Sequence, residues 1–180
     1  MKHNIIAAAF CCIFFALTSC NNEPHWADPE AHARTEELNK LYAPLLVGTW
    51  HTQRFYASRR YFEQLTFAGD GSVSGYRKWH QRKLVTINGE KVYTDWEEIS
   101  EMTGSFTGTW KLRHCQPAGC EKADYLHIHA DYDEEHFSHA YAENMLFGEV
   151  NDTLLRISGK YAKDETGWTI FRRGAAEPDF

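Results

Sequence analysis

The sequence predicts an all-β protein, an antiparallel up-and-down barrel of 8–10 strands preceded by one helix. Three observations carry this. From Leu46 onward the apolar residues recur with a period of two, in short runs, which is the pattern of half-buried strands. The runs are separated by Gly69-Asp70-Gly71, Asn88-Gly89, Asn151-Asp152 and Glu165-Thr166-Gly167, residue types that tolerate the positive φ of tight hairpins. Helical spacing is confined to one stretch before Pro44. Short turns make successive strands antiparallel neighbours, and closing the sheet removes its exposed edges.

The chain begins with a basic start and an apolar run from Ile5 to Leu17. That run is too short to span a bilayer and ends at small residues, so 1–19 reads as a secretory signal peptide. Its closing residues, Leu17-Thr18-Ser19-Cys20, resemble the lipobox of bacterial lipoproteins. The resemblance implies that Cys20 carries acyl chains, palmitate among them, and becomes the new N-terminus of a cell-envelope protein. Asn21-Asn22 is not the aspartate that resembles an inner-membrane retention signal, which favours the outer membrane and leaves the face open. Residues 20–27 form a lipidated tether, 28–174 one domain, and 175–180 a C-terminal tail.

The 180 residues suit one domain with a real core. A net charge of −6 argues against nucleic acid, whose phosphates need a basic face. The same charge leaves membrane attachment to the acyl chains, each buried methylene contributing about 0.8 kcal/mol. Of the five cysteines, Cys11 and Cys12 leave with the signal and Cys20 is taken by lipid. Cys115 and Cys120 bracket Gln116-Pro117-Ala118-Gly119, so in an oxidising compartment a disulfide across a hairpin loop is expected. The rival reading is a Cys-His metal site with His114.

Asp28-Pro29-Glu30 reads as a helix start, with Asp28 as N-cap, proline at the first position and an acid near the positive end of the dipole. Leu38, Leu41, Tyr42 and Leu45 form its apolar stripe, and Pro44 is expected to end it, giving a helix over 28–43. A barrel over 46–173 follows, with strands near 46–56, 60–68, 72–80, 83–87, 91–99, 104–114, 123–131, 145–150, 153–158 and 167–173. Alternation groups Leu65 with Phe67, Val73 with Trp79, Val92 with Trp96, Phe106 with Trp110 and Leu112, Leu126 with Ile128, and Trp168 with Ile170. Rings on the inner face either fill a small barrel or line a ligand cavity.

Leu46-Val47-Gly48-Thr49-Trp50 opens the first strand directly after the helix, and Gly167-Trp168-Thr169-Ile170-Phe171-Arg172-Arg173 closes the last. This resembles the lipocalin-like (calycin) families. The resemblance implies that Trp50 lies across the closed end of the barrel with a late-strand arginine stacked on it, a cation–π contact of roughly 0.5–2 kcal/mol. Alternation with Trp168 and Ile170 makes Arg172 that partner. A second Gly108-Thr109-Trp110 reads as an unrelated strand, with an internal repeat as the alternative. The helix lies before the barrel, unlike the long C-terminal helix of secreted animal lipocalins.

Histidines are dense between His114 and His139. His127 and His129 share a strand face, as two metal ligands would, but Leu126 and Ile128 claim the apolar side and leave the histidines outside. His136 and His139 could complete such a site from a loop. The motifs of nucleophilic and phosphate-binding enzymes are absent and Glu97, Glu98 and Glu101 do not pair, so the reading is not an enzyme and needs no cofactor. Arg59-Arg60, Arg77-Lys78 and Arg82-Lys83 read as solvated basic patches, with a cavity-mouth site for a carboxylate as the alternative. The expected function is a cell-envelope lipoprotein whose barrel binds a small apolar or amphipathic ligand against Trp79, Trp96 and Trp110. The alternatives are a filled barrel serving a partner protein of the envelope, and a metal-binding lipoprotein using His127 and His129.

Overall fold

The computed structural model describes residues 28–117, 120–131, 142–158 and 167–180. The signal peptide, Cys20, the tether, and His136 with His139 lie outside the described residues. Helix α1 (Pro29–Leu46) comes first. The strands follow as β1 (Gly48–Phe55), β2 (Arg59–Phe67), β3 (Ser72–Gln81), β4 (Leu84–Ile87), β5 (Glu90–Tyr93), β6 (Glu97–Glu98), β7 (Gly104–Cys115), β8 (Ala123–Asp131), β9 (Ala142–Val150), β10 (Leu154–Ser158) and β11 (Trp168–Arg173). Eight of them close an antiparallel up-and-down barrel in the order β1, β2, β3, β7, β8, β9, β10, β11, with β11 returning to β1. No helix among the described residues is long and apolar enough to cross a membrane.

The helix starts where expected, the Asp28 carboxylate accepting from the Ala31 N–H at 3.0 Å. It does not stop at Pro44 but runs on to Leu46. Proline removes one donor, yet the last turn still closes through the Val47 N–H to the Ala43 carbonyl at 3.3 Å, and Leu46 gains complete burial by staying helical. The Asn39 amide donates to the Leu112 carbonyl at 3.0 Å, and Thr35 accepts from the His114 N–H. The helix is thereby fixed to β7.

The segment between β3 and β7 departs most from the sequence reading. The stretch read as one strand over 91–99 is divided into β5 and β6, and β4 pairs only with β5, as a hairpin outside the barrel. Asn88 and Gly89 turn that hairpin with φ of 53° and 86°, the type I′ geometry their sequence favours. Val92 is exposed there and Trp96 lies beyond the end of β5, so they do not line the barrel.

Candidate ligand site in the barrel mouth

The two halves of the barrel interior differ. At the end carrying α1, Trp50, Leu65, Phe67, Trp110, Leu112, Leu126, Ile128, Met145, Leu155 and Phe171 interlock, none more than 8% exposed. Trp50 donates its indole N–H to the Leu46 carbonyl at 2.7 Å, which caps the helix. Trp110 donates to the Ala68 carbonyl at 3.0 Å and meets Phe67 edge-on. Trp110 is thus part of the packed floor and does not line an opening.

The arginine on Trp50 is Arg173, not Arg172. Its guanidinium lies 4.9 Å from the indole centre and donates to the Leu45 and Val47 carbonyls at 3.0 and 2.7 Å. The reason is the register of β11, whose inward row is Thr169, Phe171 and Arg173. Phe171 is fully buried, whereas Ile170 is 50% exposed and Trp168 packs outside beneath Arg156. Gly48, with φ +131°, admits the arginine, since a Cβ there would stand 3.1 Å from its terminal nitrogen.

At the opposite end the interior turns polar. On β2 the inward row is Tyr61, Glu63, Leu65 and Phe67, and on β3 it is Val73, Gly75, Arg77 and Trp79. Glu63 is only 3% exposed. One carboxylate oxygen accepts from the Arg77 Nε at 2.7 Å and the other from the Tyr61 hydroxyl. Trp79 lies against Tyr61, ring centres 4.4 Å apart, and its backbone N–H is held by Thr103. Phe106 crosses from β7 to lie over Gly75, where a Cβ would collide with the ring, and the Arg77 guanidinium is 6.0 Å from that ring. Arg54 reaches across to the Trp168 carbonyl and the Thr169 hydroxyl at 2.6 and 2.8 Å.

Trp79 shares the polar end of the barrel with Tyr61, Glu63 and Arg77, a group the sequence analysis does not bring together. Glu63 and Arg77 stand directly opposite in the β2–β3 register, which the sequence alone does not fix. Trp96 instead stands outside the barrel, stacked by Arg60 at 4.1 Å and Arg82 at 4.6 Å.

Two other expectations are corrected or located. The expected disulfide between Cys115 and Cys120 is not formed in this structure; Cys115 ends β7 opposite Ala123, and Cys120 lies in the turn that follows. His114 is engaged by Asp124 at 2.7 Å. His127 and His129 lie on the outer face of β8, where His127 meets the Asn144 side chain at 2.9 Å. Among the described residues no three His, Cys, Asp or Glu side chains gather as a metal site.

No protein-family model matches the chain, and no curated protein is significantly similar to it.

Proposed function

We propose that the protein is a lipocalin-like lipoprotein of the cell envelope, anchored through Cys20, whose barrel takes up a small apolar or amphipathic molecule through the mouth. The observation that carries the binding reading is the buried Glu63–Arg77 pair with Tyr61 and Trp79, set beyond the packed apolar floor of the barrel. A buried ion pair is weak support for stability, since desolvation offsets much of its attraction. A few polar groups among rings is the composition that orients a ligand. An amphipathic molecule would place its apolar body against Trp79, Tyr61 and Phe106 and its polar end at Arg77. The lipid anchor rests on the lipobox resemblance, and the chain's negative charge is consistent with attachment by acyl chains.

The test is a titration with the neutral apolar dye N-phenyl-1-naphthylamine, which brightens on leaving water. The reading predicts saturable uptake that falls about tenfold or more in Trp79→Ala and is unchanged in Trp168→Ala on the outer wall. Equal uptake by both variants contradicts it.

A second reading is a filled barrel serving a protein partner. It is favoured by the floor, where Trp50, Trp110 and their neighbours leave no exposed lining. It predicts no saturable dye uptake by the wild-type protein.

A further inference from the structure

We infer that Arg60 and Arg82, on the outer rim of the barrel, form a binding site for an oxyanion of the phosphate or carboxylate class, separate from the barrel interior. Both guanidiniums stack on one indole, Arg60 at 4.1 Å and Arg82 at 4.6 Å from the centre of Trp96. Arg82 is also 4.1 Å from the Tyr93 ring, and Arg60 lies 6.0 Å from Phe55 and 5.9 Å from Phe180. The backbone around them is fixed. The Arg82 N–H donates to the Ser58 carbonyl at 3.0 Å, its Nε to the Ala57 carbonyl at 2.8 Å, and the Tyr56 N–H to the Arg59 carbonyl at 2.8 Å.

Stacking uses the flat face of a guanidinium and leaves its in-plane N–H groups for an acceptor. Among the described residues neither arginine has a carboxylate partner, although Asp95 and Glu97 flank Trp96 in the chain and Glu98 is 3.6 Å from His80. Two cations held at one ring repel each other, and a bound anion would offset that repulsion. Other cations of the protein do have carboxylate partners, as Lys122 has Asp28 and Arg34 has Asp124. The stacked pair therefore keeps guanidinium N–H groups that no carboxylate among the described residues takes, and a charged fork is the donor that oxyanions select. Exposed Phe55, Tyr56 and Tyr93 beside it offer apolar surface to whatever carries the anion.

The test is a titration of the whole chain with inorganic phosphate at low ionic strength, followed by the arginine Nε–Hε NMR signals and Trp96 fluorescence. A second arm uses vesicles of equal parts phosphatidylglycerol and phosphatidylcholine, with pure phosphatidylcholine as control. The proposal predicts saturable shifts at Arg60 and Arg82, and binding weakened about tenfold or more in R60Q and in R82Q. Lys40→Gln, the same charge change on the exposed face of α1, should bind as wild type. Circular dichroism establishes that each variant is folded, and R82K, which keeps the charge but loses the fork, should bind weakly for the same reason. Vesicle binding competed by phosphate identifies a lipid headgroup as the source, and phosphate binding alone identifies a soluble anion. A non-saturable response, or equal affinity in folded R60Q, R82Q and wild type, overturns the site.

Discussion

Arg173 closes the barrel by binding the end of the helix that precedes it. Its guanidinium stacks on Trp50 while donating to the carbonyls of Leu45 and Val47, and Trp50 takes the carbonyl of Leu46 between them. The last turn of α1 contains Pro44 and no basic residue, so beyond the Val47 N–H on the Ala43 carbonyl its negative dipole end is served by the side chains of Trp50 and Arg173. Helix, first strand and last strand are thereby joined in one contact.

Replacing Arg173 by methionine should therefore lower the stability by about 1–2 kcal/mol, the sum of a cation–π contact and charge-assisted caps. Arg172→Met, on the outer face, should leave it within about 0.5 kcal/mol. Urea unfolding of the two variants side by side decides between the neighbours.

The confusion between those neighbours shows where the sequence was silent. In Trp168-Thr169-Ile170-Phe171 apolar residues fall on both faces of β11, so alternation alone cannot choose the inward row. Phe171 wins because Trp168 finds shelter outside, between Gly148 and Arg156. Where only one face is apolar, as in β7 and β8, the inward residues Phe106, Trp110, Leu112, Leu126 and Ile128 follow from the pattern. Asn88-Gly89 announces its hairpin correctly but says nothing of whether that hairpin joins the barrel. Trp96 reads as interior only if one strand runs through 91–99, and the structure divides that stretch into β5 and β6. Its true position depends on Arg60 and Arg82, contacts that lie far apart in the chain. The polar mouth was the least legible part, since Glu63 and Arg77 meet only once the β2–β3 register is known.

Trp110 tests the division of the interior. As a floor residue with its indole N–H bound to Ala68, it should cost about 3–5 kcal/mol when cut to alanine. Trp79→Ala, at the half-buried mouth, should cost less than half of that. Similar losses for both, measured by thermal and urea unfolding, would mean that the mouth is packed like the floor.

The Glu63–Arg77 pair should behave asymmetrically. Arg77→Met leaves a carboxylate buried beside Tyr61 and should cost about 3–5 kcal/mol. The double change Glu63→Gln with Arg77→Met removes both charges and should recover most of that loss while still failing to hold a polar ligand end. A double variant as unstable as the single one would assign the pair a structural role.

Stability should also fall on mild acidification. Burial holds the His127 imidazole below its ordinary value of 6.5, aided by the nearby charges of Lys111 and Arg113 and opposed by its hydrogen bond to Asn144. The unfolded chain then binds more protons than the folded one as the pH drops through that value. Stability that is complete above it is lost progressively below it. The loss between about pH 7.5 and pH 5.5 should be smaller in His127→Gln than in the wild type. Parallel pH profiles would exclude His127 as the source.

Ligand uptake in the mouth is tested most directly by native mass spectrometry of the protein purified from an envelope extract without detergent. The account predicts a discrete added mass on the wild-type protein that disappears on denaturation and is missing from folded Trp79→Ala. A wild-type protein that flies at its bare mass, or an added mass that Trp79→Ala retains in full, would contradict it.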